Sequence, residues 1–147
     1  MKYILIVLAA LLLLAACDDK AIVTIYKKGI TQTPISCMKL NIFPKESMIS
    51  STLNTRYRFS DNCALTLEVS HKSGIKCNSR FNVATKTTTN FPNSYLKMEL
   101  RRGMTLQYSY YIDLTKKPTE DDVNSGFDRL EKDLKIKQVR EIAPVHD

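Results

Sequence analysis

Apolar residues along this chain change their spacing twice, and each spacing predicts a different kind of element. The first stretch is continuous: every residue from Tyr3 to Ala16 is apolar, behind Met1 and Lys2. At fourteen residues it is shorter than the roughly 20 that a helix needs to cross the hydrocarbon of a bilayer. After it the spacing is mostly two. Ala21–Tyr26 is rich in β-branched residues and ends at Lys27-Lys28-Gly29, which predicts a first strand. A weaker strand is expected over Cys37–Phe43, stopped by Pro44, which cannot donate to a ladder. Leu53, Thr55, Tyr57 and Phe59 then alternate with Asn54, Arg56, Arg58 and Ser60, the pattern of a half-buried strand. Ser60-Asp61-Asn62 turns the chain into Cys63, Leu65, Leu67 and Val69, and His71-Lys72-Ser73-Gly74 turns it back into Ile75, Cys77, Phe81 and Val83. These three strands read as a meander.

The clearest hairpin sets Leu96, Met98 and Leu100 against Met104, Leu106 and Tyr108 around a three-residue loop, Arg101-Arg102-Gly103. Glycine suits the final, left-handed position of such a loop. Its second strand runs on through Tyr110, Ile112 and Leu114. Beyond Lys116-Lys117-Pro118 the period becomes 3.6, with Val123, Phe127, Leu130 and Leu134 on one stripe. Thr119 is placed to cap this helix, Glu120-Asp121-Asp122 to complement its positive end, and Lys135 and Lys137 its negative end. Gly126 weakens the prediction. The expected fold is α+β: an antiparallel β-meander sheet of about five to seven strands with one C-terminal amphipathic helix packed on it.

The apolar run closes on Leu14-Ala15-Ala16-Cys17, followed by Asp18-Asp19. A charged start, an apolar middle and a small-residue exit make a secretory signal. The tetrad resembles the lipobox of bacterial lipoproteins. That resemblance implies cleavage before Cys17 and covalent lipid on its thiol and new amino group, an anchor made permanent by two or three acyl chains. In enterobacterial lipoproteins an aspartate after the lipidated cysteine resembles the signal for inner-membrane retention, a role that falls here to Asp18 and Asp19. The division expected is residues 1–16 as a cleaved signal peptide, 17–20 as a lipidated tether and 21–147 as one periplasmic domain. Asp18, Asp19 and Lys20 reach roughly 10 Å, so the body is expected close to the inner membrane, on its periplasmic side.

An oxidising periplasm makes one disulfide among Cys37, Cys63 and Cys77 the default. In the meander register Cys63 and Cys77 share a face but lie too far out of alignment to bond. Cys37 is then the partner of one of them, unless that hairpin slips. No metal is expected, because the cysteines and His71 match no compact ligand spacing. Catalysis finds no motif either: His71 falls in a predicted turn, His146 is penultimate, and Asp121-Asp122 are explained by the helix dipole. No cofactor beyond the lipid on Cys17 is expected.

The formal net charge of +7 is unevenly placed. Lys20–Lys117 holds sixteen basic and five acidic residues, whereas Pro118–Asp147 holds five basic and eight acidic. Polar strand positions supply much of the excess: Arg56, Arg58, Lys76, Arg80, Lys97 and Arg101 form the expected basic partner face. Such a face is attracted to anionic headgroups. Nucleic acid suits the compartment less well, except while phage or plasmid DNA crosses it. The leader, the two aspartates and the small basic body together resemble the small, prophage-type inner-membrane lipoproteins of enterobacteria. The expected role is a non-enzymatic lipoprotein that binds an envelope protein or anionic lipid. The alternatives are an exclusion factor against incoming phage or conjugative DNA, and, third, an envelope hydrolase.

Overall fold

The computed structural model describes residues 21–75 and 92–136. Among these the chain forms β1 (Ile22–Ile25), a 3-10 turn (Lys28–Thr31), β2 (Lys39–Phe43), α1 (Ser47–Arg56), β3 (Leu65–Lys72), β4 (Ser94–Arg102), β5 (Thr105–Leu114) and α2 (Glu120–Asp133). The strands make one sheet in the order β1-β5-β4-β3-β2. The fold is α+β, but the sheet is mixed and there are two helices. β2 pairs with β3 in parallel, and the other pairings are antiparallel. Parallel neighbours need a crossover, and α1 supplies it.

α1 occupies much of the segment in which a strand was expected. Ile49, Thr52 and Leu53 fall on one side of a 3.6-residue helix, and all three are buried. Tyr57 follows Leu53 by one further turn; it is buried in an extended segment and packs on Phe59 with ring centroids 5.0 Å apart. The alternation read from Leu53 is therefore real only past the helix end. The expected three-strand meander is also replaced, since β3 lies between β2 and β4. The strand expected from Ile75 falls almost entirely on residues outside those described.

The β4–β5 hairpin exists in another register. Leu100 faces Tyr108 and Met98 faces Tyr110, whereas the three-residue loop required Leu100 opposite Met104. Arg102 pairs with Thr105, so the turn is Gly103-Met104, with Gly103 at φ 57° and Met104 almost fully exposed. A bulge between Leu100 and Arg101 shifts the ladder by one residue, so that Leu106 lies opposite Arg101. This register extends the ladder by pairing Arg101 and Arg102, and it buries Tyr108 and Tyr110.

α2 begins where expected. The Thr119 hydroxyl accepts from the Asp122 amide, and the Asp122 carboxylate accepts from the Thr119 amide, closing a capping box. Val123, Gly126, Phe127 and Leu130 are buried. Gly126 is there for contact: a Cβ at that position would stand 3.0 Å from both Met98 Cε and Tyr110 Cε1. Its missing side chain lets the helix rest directly on β4 and β5.

Two rows cross the whole sheet on the helix-covered face: Ile25, Tyr108, Leu100, Leu67, Leu40, and Val23, Tyr110, Met98, Val69, Ile42. Both are wholly apolar. All but Ile25, which is 43% exposed on the edge strand, belong to one core with Ile49, Leu53, Val123, Phe127 and Leu130. Each fully buried side chain of this kind contributes roughly 1.5–3 kcal/mol. His71, expected in a turn, instead continues the inward series Leu65, Leu67, Val69 of β3 and is buried.

Candidate functional site

Sheet register gives the molecule two ends. At the entry end, where β1 starts, lie Ile22, the last residues of β2, β3 and β5, the first of β4, and the starts of both helices. The far end gathers Tyr26, the Gly103-Met104 turn, the starts of β2 and β3, and the ends of both helices.

The expected basic face does not survive as one surface. Arg56 lies on α1, and its guanidinium donates to Asp128 and to Glu131 (2.7 Å) of α2 while lying over the Phe127 ring, 5.4 Å from the centroid. The bond to Asp128 leads the causes that raise its pKa. Arg58 is exposed beyond the end of α1. Lys97 and Arg101 do occupy the sheet face away from the helices, but a pair of acids divides them. Glu68 stands directly opposite Glu99, a repulsive placement that Arg101 relieves by contacting both at 2.8 Å, with Lys97 adding 3.1 Å to Glu99. Burial pushes the Glu99 carboxyl up, yet the hydrogen bonds from Arg101 and Lys97 outweigh it and hold the net pKa below the usual carboxylate range. This face is a neutral ladder of ion pairs. Cys17, Asp18, Asp19, Lys76, Arg80 and Cys77 lie outside the described residues.

Positive charge collects instead at the far end. Lys27, Lys28, Gly29, Ile30 and Thr33 form one wall of a cleft of about 470 Å³, and Arg102 and Gln107 form the other. The backbone under these cations is pinned. The amides of Tyr26 and Lys27 both donate to the Gln107 carbonyl at 2.9 and 3.3 Å, Ile30 is buried, and the Ile35 amide donates to the Lys135 carbonyl just past α2 at 2.8 Å. Arg58, Lys132 and Lys135 lie at the same end. The acids there are engaged: Asp61 with Lys39 at 3.7 Å, and Asp133 with Tyr108 and Arg129 at 2.9 and 2.8 Å.

The entry end is different. Lys45, Lys72, Lys116 and Lys117 sit there beside Glu46, Asp113 and the Glu120-Asp121-Asp122 start of α2, so opposite charges offset one another. Lys117 pairs with Glu46 at 2.9 Å, and that hydrogen bond lowers the Glu46 pKa. A second cleft of about 620 Å³ lies here between Phe43, Pro44, Lys72, Tyr95 and Lys117, backed by His71. The His71 ring donates Nε2–H to the Pro44 carbonyl at 3.1 Å, tying the ends of β2 and β3. Tyr111 donates to Asp113 at 2.7 Å, and its pKa is pushed up to about 12 by that bond.

Cys37 and Cys63 form a disulfide with Cα atoms 5.5 Å apart. It joins the segments entering β2 and β3, closing the crossover at the far end. Among the described residues no group of His, Cys, Asp and Glu could hold a metal ion, and no helix is long and apolar enough to cross a membrane. Chemically, the far-end cleft offers two ammonium groups, one guanidinium, an amide and a threonine hydroxyl, a set suited to holding an anion. The sequence marked Lys27-Lys28-Gly29 only as a strand end and Arg102 only as a loop residue; no local signal joins them. Comparison with protein-family models, curated proteins and solved structures finds no match.

Proposed function

We propose that this chain is a lipoprotein anchored on the periplasmic side of the inner membrane through acylated Cys17, and that it acts by binding an envelope protein or an anionic lipid. The observation that carries this reading is the far-end cleft, with Lys27, Lys28 and Arg102 converging on one cavity while the cations of the sheet face are spent on acids. The leader supplies the location. β1 starts at Ile22, so a tether of four residues, Asp18 to Ala21, roughly 14 Å long, holds the entry end near the bilayer and leaves the cationic end free to meet a partner.

Labelling with palmitate and separating inner from outer membranes tests the anchor. The expected result is label that disappears with Cys17→Ala and protein that moves outward with Asp18→Ser; an unlabelled natural chain removes the anchor from the proposal. Crosslinking in intact cells tests the binding role. Recovery of one envelope component that is lost with Lys28→Ala/Arg102→Ala is expected, and recovery of nothing beyond a tethered control contradicts it.

A further inference from the structure

We infer that the far-end cleft is a phosphate-binding site. The inference deepens the binding role proposed above, and it depends on that reading only for its cellular setting.

Three cations of two kinds converge there from distant parts of the sequence. Lys27 and Lys28 arrive with the turn that follows β1, and Arg102 closes β4 beside the hairpin turn. Several other arginines and lysines of the sheet and helices are paired: Arg56 with Asp128 and Glu131, Arg101 with Glu68 and Glu99, Lys97 with Glu99. The cleft has no acid in its lining. Like charges so gathered repel one another, and an anion entering between them removes that repulsion.

The number and geometry of the donors select the anion. A carboxylate brings one charge and two oxygens. A phosphate monoester brings close to two charges and three strong acceptor oxygens, enough to serve both ammonium groups and the guanidinium at once. The arginine fork matches two of those oxygens side by side, and the lysines act as mobile point charges on the rest. The cleft is also roomy enough for more than the bare ion, since about 470 Å³ lies within the range of small-molecule sites. Ile30 and Gly29 add an apolar and an open stretch of wall. A Cβ built on Gly29 meets nothing within 4 Å, so that side of the cleft has space for the group that carries the phosphate. The phosphate can come from a soluble monoester or from a lipid whose headgroup is itself a monoester, as in phosphatidic acid, and the chemistry at the cleft is the same.

The test uses the full chain in detergent and measures binding of inorganic pyrophosphate by calorimetry at low salt. Inorganic phosphate, short-chain phosphatidic acid, short-chain phosphatidylcholine and citrate serve as competitors. We expect binding that weakens with salt and falls about tenfold or more in Lys28→Ala/Arg102→Ala. Gly29→Glu, which places a carboxylate in open space within the cleft, is expected to do the same while leaving the thermal transition in place. Competition by phosphatidic acid at lower concentrations than free phosphate assigns the source to a headgroup; the reverse order assigns it to a soluble ester. Absence of pyrophosphate binding, equal competition by citrate, or binding unchanged in both variants overturns the inference. None of these readouts depends on lipid at Cys17, so failure here is distinct from failure of the membrane anchor.

Discussion

The crossover β2-α1-β3 and the unit β4-β5-α2 are similar in size and share one core, yet they are stabilised by different means. α2 is held by its own chemistry: a capping box at Thr119, three acids in its first turn, and Val123, Phe127 and Leu130 laid on the sheet across Gly126. α1 has none of this at its start. Glu46 makes no side-chain capping bond, the first turn contains no acid, and three buried residues, one of them Thr52, fix its inner side. Its closure comes from outside the helix, from the Cys37–Cys63 bond and from Arg56 reaching across to α2. One unit is secured by packing and local signals, the other by a few long-range links. Their responses to perturbation should therefore differ in kind.

Loss of the packing in the second unit gives the largest effect. Phe127→Ala removes a fully buried ring and is expected to cost about 3–5 kcal/mol, seen as one cooperative shift in a urea transition. If only the α2 signal is lost and the sheet persists, the helix and the sheet do not share one cooperative core. Next comes the covalent link. It closes 26 residues, and chain entropy assigns such a loop about 3.5 kcal/mol. Cys37→Ser/Cys63→Ser should lower the melting temperature by roughly 10 °C. Hydrogen exchange should then show the α1 amides opening well before those of α2, and equal exchange in both helices would erase the contrast between the units.

Arg56→Met keeps the apolar stem over Phe127 and removes the charge. Leaving Asp128 and Glu131 without it should cost about 2 kcal/mol, measured by the shift of the urea midpoint. The smallest effect concerns pH. Burial, then the hydrogen bond to Asp133, pushes the Tyr108 hydroxyl well above the ordinary tyrosine value. Above about pH 10 the unfolded chain loses this proton while the folded chain keeps it. The stability it supports is complete below about pH 10 and falls as pH rises beyond. Tyr108→Phe should flatten that alkaline decline, and an unchanged slope would show that Tyr108 does not govern it.

The same contrast explains what could be read from the sequence. α2 was legible because its capping residue, its acids and the Val123–Phe127–Leu130 spacing all specify one element. α1 was hidden because Ser47, Ser50, Ser51, Thr52, Asn54 and Thr55 make its composition that of a loop, and Leu53, Tyr57 and Phe59 happen to sit two or four apart, which suits a strand as well. The better signal was Ile49-Leu53-Tyr57 at a constant spacing of four. Once α1 is missed, nothing in Lys39–Phe43 specifies a parallel partner. The hairpin was recognised with its glycine in the turn, but the bulge allows apolar alternation on both strands in more than one register. The cationic cleft depends on Lys27 and Lys28 meeting Arg102 across the β1–β5–β4 order, which no local pattern encodes. The predicted basic face assumed that lysine and arginine positions act alone, and the pairing of Arg101 with Glu68 and Glu99 cancels it.

The disulfide has a further consequence for the timing of folding. A chain that must be threaded unfolded through a translocation channel gains from remaining slack until it has crossed. With α1 so weakly specified, a chain exported as proposed closes it through a bond that a reducing cytosol withholds and an oxidising periplasm permits. Under the export proposed above, crossing the membrane becomes the event that completes the fold at the Cys37–Cys63 crossover.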